Sequence, residues 1–259
     1  MQKRGDCVSF GDMFPIRDHN PSQRTPYVTY ALIAANILIF LSYWPLQTND
    51  ASTLGPFWDA WAMRPFEIMQ GIDLHTLVTS MFLHGGWMHL AGNMLFLYIF
   101  GDNLEDQLGH VPFLIFYLVC GVVADLGQLA ADPSSTIPTV GASGAIAGVM
   151  GGYLLLFPKA KVDVILIVIV FFKIFPIPAW IVLGVWMGLQ LFSGVTADVS
   201  QGGVAYWAHA GGFVAGLLLM IPFWLRLGGQ EFWRRSEGHP PHPEARYSPS
   251  TIPVVGRRK

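Results

Sequence analysis

Long apolar stretches alternate with short polar ones along this chain. Six windows contain no Asp, Glu, Lys or Arg: residues 25–49, 74–101, 107–124, 133–158, 174–197 and 199–225. Their lengths are close to or above the roughly 20 mostly apolar residues that a helix needs to cross a bilayer core. They predict six transmembrane helices and an all-α, polytopic membrane fold. The run Val164–Phe172 is also apolar but stops at Lys173. It is too short to span, so it is read as interfacial or as part of the fourth loop. Residues 1–24 are polar and carry no signal-peptide core, which predicts an N-terminal tail, with the first apolar window retained. Residues 25–225 then form the six-helix domain. Residues 226–259 include Pro240, Pro241, Pro243, Pro249 and Pro253 and are expected to be a disordered tail.

Composition agrees with a membrane protein. Charged residues make up 12% of the chain, about half of the roughly 25% found in soluble domains. A soluble enzyme, a nucleic-acid binder and a disordered chain are excluded. The distribution of charge says more than its total. Every Lys and Arg except Arg64 falls before the first window, between the fourth and fifth, or after the sixth. With six spans these segments share one side, and the positive-inside rule puts both termini in the cytoplasm. Asp102, Glu105 and Asp106 are expected in a short second loop on that side. The short tails suggest a bacterial plasma membrane. The opposite side receives an aromatic-rich interfacial segment at about 47–82, and loops at 131–141 and 194–204. Cys7 and Cys120 are expected neither to pair nor to form a redox site, and no Cys/His zinc spacing occurs.

Polar groups inside membrane spans are costly and point to function. Three clusters stand out: His84, His89 and Asn93 in the second window, Ser143 in the fourth and His209 in the sixth. Those three spans run in the same direction, and each cluster lies near the start of its span, so all three should share one depth. Ser143 is a weak nucleophile unless a base removes its proton, and His209 is the candidate base. Ser143 also precedes a helix, whose N-terminal dipole favours developing negative charge. His89 and Asn93 are four residues apart on one face and could donate to an oxyanion. No acid is obviously placed to orient His209, which predicts a Ser–His dyad. Gly144, Gly148 and Gly152, with Ala208, Gly212 and Gly216, repeat every four residues and would let two helices approach closely; packing alone also explains such repeats.

These residues closely resemble the rhomboid family of intramembrane serine proteases. The resemblance covers about residues 25–225 and has three parts in order. They are His84, His89 and Asn93; Gly141, Ser143 and Gly144; and Ala208, His209, Gly211, Gly212 and Gly216. The segment PIRDHNPS before the first span also looks like bacterial members. The resemblance implies Ser143 as nucleophile and His209 as general base. It implies an oxyanion hole from His89, Asn93 and the Ser143 N–H, and a supporting role for His84. It further implies cleavage of a transmembrane segment of another protein near its outer end, at the outer leaflet of the lipid bilayer, through an acyl-enzyme and without metal or cofactor. Access for that segment near the second and fifth spans, the latter carrying Trp180 and Trp186, is likewise implied only by the family.

Two positions depart from the family pattern. His75 and Thr76 stand where many members carry Trp-Arg in the first loop. Ala147 stands where some members carry an aromatic residue that packs on the catalytic histidine; Tyr206, Trp207 or another aromatic could take its place. Asp125 is an intramembrane acid with Gln128 one turn on as a plausible partner. It is read as a satisfied buried carboxylate or as lining a polar cavity. The alternatives to a protease are a non-catalytic rhomboid-like binder of membrane helices, a transporter using a histidine relay, and a His/Asn metal site.

Overall fold

Backbone surrounded by lipid must satisfy its own N–H and C=O groups, and a helix does this within one segment. The apolar windows accordingly fold as helices. The computed structural model describes residues 13–18, 20, 22–49, 51–168, 171–197 and 202–240. Cys7, most of the 1–24 tail and the proline-rich stretch after 240 lie outside the described residues.

Among the described residues, six longer helices build the bundle. They are α1 (Tyr27–Asn49), α5 (Trp87–Leu108), α6 (His110–Ala131), α7 (Ser143–Leu156), α8 (Ala179–Thr196) and α9 (Tyr206–Arg226). Four of them, α1, α6, α8 and α9, are long and apolar enough to cross a membrane. The apolar helix α7 has only 14 residues. Short helices α2 (Ala51–Trp61), α3 (Pro65–Met69) and α4 (Thr76–Thr79) fill the first connection.

Helix α7 is the centre of the bundle: every residue from Gly144 to Tyr153 is buried. It packs most extensively on α9, with α5 and α6 on its other sides. Small residues make this possible. A methyl group built on Gly212 would overlap the Gly144 carbonyl, and one on Gly216 would overlap the Gly148 carbonyl. The two backbones are therefore in direct contact along the expected glycine rows. Gly151, outside the expected row, also sits against the Phe213 carbonyl. Close backbone approach of this kind supplies van der Waals contact where apolar lipid offers no hydrophobic drive between helices.

The structure departs from the sequence reading in four places. The second span does not begin directly after the interfacial segment expected to end at about residue 82. A turn of 3-10 helix, Ser80–Phe82, follows α4, and α5 begins only at Trp87 after Gly85–Gly86. Asp102, Glu105 and Asp106 are not a loop but the last turns of α5, and Gly109 at φ +81° makes the turn into α6. Glu105 is buried at the start of α1, where its carboxylate accepts from the Val28 and Thr29 N–H groups at 2.9 and 2.8 Å. This is a side-chain cap for a helix N-terminus, supplied from another helix.

The third difference is a small sheet. The run before Lys173 forms β2 (Lys161–Val168) and β3 (Phe171–Pro178), and β1 (Met13–Asp18) pairs with β2. All pairings are antiparallel in the order β1-β2-β3, with Met13 opposite Leu166 and Lys161 opposite Pro178. β-branched and aromatic residues suit a strand, and the fifth long helix starts at Ala179 rather than at residue 174. Fourth, the expected disorder beyond about 228 does not hold at its beginning. Helix α10 (Gln230–Ser236) buries Phe232, and the Trp233 indole N–H donates to the Leu155 carbonyl at 2.9 Å.

These additions share one end of the bundle. Asn20 reaches Tyr153 Oη at 2.9 Å, near the end of α7, and α10 holds the same end through Leu155. The starts of α5, α7 and α9 lie at the opposite end, where the polar residues gather.

Candidate active site

Ser143 is the first residue of α7 and His209 lies in the first turn of α9. The α7–α9 contact brings Ser143 Oγ to 2.7 Å from His209 Nε2. That distance suits a hydroxyl donating to an unprotonated ring nitrogen. Oriented this way, His209 can take the Ser143 proton as the oxygen attacks.

The other ring nitrogen has a partner that sequence reading missed. His209 Nδ1 lies 2.8 Å from Gln190 Oε1 on α8. One turn earlier on α8, Trp186 packs on the imidazole, with ring centroids 5.8 Å apart and planes inclined by 33°. Trp186 therefore fills the aromatic role left vacant by Ala147; neither Tyr206 nor Trp207 does. The signal for Gln190 was present, since it is one of few polar residues in a charge-free window, as the other clusters are.

His89 and Asn93 sit on the first turns of α5 and face the serine across a cavity of about 650 Å³. Gly85 N–H points at His89 Nδ1 at 3.4 Å. This favours the tautomer with the proton on Nε2, which can then donate. A methyl group built on Gly141 would lie 2.8 Å from His89 Nε2 and 3.4 Å from Ser143 Oγ, so both atoms converge over that glycine. Gly141 has φ +135°, a conformation open to glycine, and its N–H donates to the Ser80 carbonyl at 3.0 Å. Asn93 is buried and also lines the cavity, and its amide nitrogen has no hydrogen-bond partner among the described residues.

The supporting residues are placed around this core. His84 is fully buried behind His89, with ring centroids 5.0 Å apart. Its backbone is clamped by Tyr43, whose hydroxyl donates to the His84 carbonyl at 2.9 Å and accepts from the His84 N–H at 2.6 Å. His84 does not line the cavity. Gly144 and Gly212 belong to the α7–α9 contact.

Asp125 is buried, and its partner is Ser80, whose hydroxyl donates to Oδ2 at 3.0 Å. Gln128 instead accepts from the Ala208 N–H at 3.3 Å. Ser80 thus links α6 to the strand of backbone leading into Ser143.

The loop over the cavity is held by contacts from the first connection. Met63 and Thr139 exchange backbone hydrogen bonds of 3.1 and 2.7 Å. Arg64 Nε donates to the Thr136 carbonyl at 3.0 Å while its guanidinium pairs with Asp59. His75 Nε2 lies 2.9 Å from the Ala60 carbonyl, so it anchors the first connection without Trp-Arg. Among the described residues, no group of three or more His, Cys, Asp or Glu is placed to hold a metal ion.

Fold and site together define a polytopic helical membrane protein whose polar side chains converge in one cavity between the helices. The model of the Rhomboid domain matches residues 72–226, more than half of the sequence, and the chain belongs to the rhomboid family. "Rhomboid protein 1, mitochondrial" of Saccharomyces cerevisiae is 28% identical over 201 residues, covering 74% of this chain and 51% of that protein. "Rhomboid protease GluP" of Bacillus subtilis is 35% identical over 129 residues, covering 50% of this chain and 24% of that protein. "RHOMBOID-like protein 6, mitochondrial" of Arabidopsis thaliana is 31% identical over 175 residues, covering 55% and 56% respectively. The chain thus spans about half, or less, of the length of these curated relatives.

Proposed function

We propose that this protein is an intramembrane serine endopeptidase that cuts transmembrane segments of other proteins. The observation that carries the reading is the 2.7 Å approach of Ser143 Oγ to His209 Nε2, beside a cavity into which His89 and Asn93 project. Named rhomboid proteases among the relatives support it.

In the proposed reaction Ser143 Oγ attacks the scissile carbonyl carbon while His209 Nε2 takes the hydroxyl proton. The oxyanion is met by the His89 Nε2–H, the Asn93 amide and the Ser143 N–H. That N–H belongs to the first turn of α7 and has no carbonyl partner within the helix. Donors fixed in advance at a developing charge are worth more in a low-dielectric site than in water. Collapse of the intermediate breaks the C–N bond as His209 returns the proton to the leaving amine. Water, activated by the same histidine, then hydrolyses the acyl-enzyme. His84, Gly141, Gly144 and Gly212 support the geometry rather than react.

The substrate helix must unwind locally, because its carbonyls are otherwise hydrogen-bonded within the helix. Small or helix-breaking residues near the cut are therefore favoured. We place all six longer helices across the bilayer, with both termini on the basic, cytoplasmic side and the cavity opening to the other. The membrane proposed is a bacterial plasma membrane.

The test is cleavage of a model transmembrane substrate by the purified protein in detergent, alongside Ser143→Ala and His209→Ala. Loss of cleavage in both variants, and labelling of Ser143 by a fluorophosphonate, are expected. Equal cleavage by the variants overturns the protease reading; intact substrate binding with no cleavage by any form points to a non-catalytic binder of membrane helices.

A further inference from the structure

Helix α8 is the least embedded of the six longer helices, with only Ala179 and Leu183 buried. Yet it sends two side chains to His209. Trp186 and Gln190 are four residues apart, which puts them on one face of the helix. Trp186 covers the imidazole ring, and Gln190 Oε1 stands 2.8 Å from Nδ1.

A neutral imidazole carries one N–H. For His209 to accept the Ser143 proton at Nε2, its own proton must sit on Nδ1. An acceptor facing Nδ1 stabilises that tautomer and fixes the ring's rotation; a donor there would favour the wrong one. We infer that Gln190 is a positioning residue for His209, acting as a neutral counterpart of the acid in a Ser–His–Asp triad. The choice of an amide has a physical basis. A carboxylate would hold the same tautomer and also stabilise the imidazolium formed in the reaction. It would, however, bring a formal charge into a helix facing lipid, where an ionised side chain is costly. An uncharged amide carbonyl orients the base without that penalty. Helix α8, which supplies both contacts to the base on α9, is the helix least fixed by the core, so its displacement removes both the Nδ1 acceptor and the ring that backs the imidazole.

This inference rests on Ser143 and His209 being the reacting pair, and the experiment separates the two ideas. Full-length protein in detergent is assayed with a transmembrane substrate for kcat and KM, and with a fluorophosphonate for the labelling rate of Ser143. The forms compared are the unaltered protein, Gln190→Met, Gln190→Glu and Ser143→Ala. Methionine keeps the length of the side chain and removes the strong acceptor. It is expected to lower kcat and labelling about 10- to 100-fold, part of what general-base catalysis contributes, with KM within about twofold and the melting temperature unchanged. Glutamate restores the acceptor and is expected to return kcat to within about fivefold of the unaltered protein. Full activity in Gln190→Met overturns the inference while leaving the protease reading intact. A loss in Gln190→Met that glutamate does not recover, in a glutamate variant whose melting temperature matches the unaltered protein, also overturns it. Failure of the unaltered protein to cleave or label at Ser143 removes the reading on which both stand.

Discussion

The Trp186 ring packs on the His209 imidazole at 5.8 Å between centroids and also on Phe213, one turn further along α9, at 6.1 Å. An indole in this position limits rotation of the imidazole. Trp186→Ala should therefore lower kcat about tenfold or more, since small misplacements of a reacting group are costly in rate. Trp186→Phe should retain most of it. Steady-state cleavage kinetics of the two variants check this.

Gly141 leaves no room for a side chain between His89 and Ser143. Alanine there meets His89 Nε2 at 2.8 Å and must adopt φ +135°. Both effects push on the same donor. Gly141→Ala is expected to reduce kcat about 100-fold, the scale of losing one oxyanion donor. The rate of Ser143 labelling by a fluorophosphonate should fall in parallel, because the phosphonyl oxygen would use the same donors.

Stability should depend sharply on which glycine is changed. Gly216→Leu inserts a side chain against the Gly148 carbonyl, whereas at Gly184 nothing lies within 4 Å of an added methyl group. Gly216→Leu should destabilise the protein by about 1–3 kcal/mol or more. Gly184→Ala should leave the thermal midpoint in detergent nearly unchanged.

Glu105 offers a stability change separated from the chemistry. Its carboxylate accepts from Val28 N–H, Thr29 N–H and the Thr29 hydroxyl, the last at 2.7 Å, far from Ser143 at the other end of α5. Glu105→Ala leaves those buried donors without their acceptor and should cost about 1–3 kcal/mol. The expected kinetic result is an unchanged kcat at temperatures where the variant remains folded.

Much of the site could be read from residue types, because a bilayer makes polar side chains conspicuous. Ser143, His89, Asn93 and His209 stood out in windows without charge, and the structure brings them to one cavity. Gln190 obeys the same rule, but an amide carries no charge and does not stand out as a partner for His209 in the way an acid would. Trp186 could not be chosen over other aromatics, because its contact with His209 depends on how α8 packs. The helices were legible from apolar length, but their boundaries were not. Gly85–Gly86 delays α5 to Trp87, and the acidic residues that looked like a loop are the end of that helix. The sheet was hidden because a nine-residue apolar run has no length signal of its own, and its partner β1 is distant in the chain.

The brevity of α7 has a consequence for what is cut. Fourteen residues at about 1.5 Å each make a rod of about 21 Å, against a hydrocarbon layer about 30 Å thick. With the far end of α7 tied to Asn20 and Trp233 through Tyr153 and Leu155, the proposed placement of this helix across the bilayer puts the Ser143 hydroxyl several ångströms beneath the opposite face of the apolar layer. On the proposed protease reading, the protein then acts as a depth gauge. The bond within reach is set by how far it lies from the membrane surface, so sliding a substrate span vertically by one helical turn should shift the cut by about four residues even where the sequence around it is unchanged.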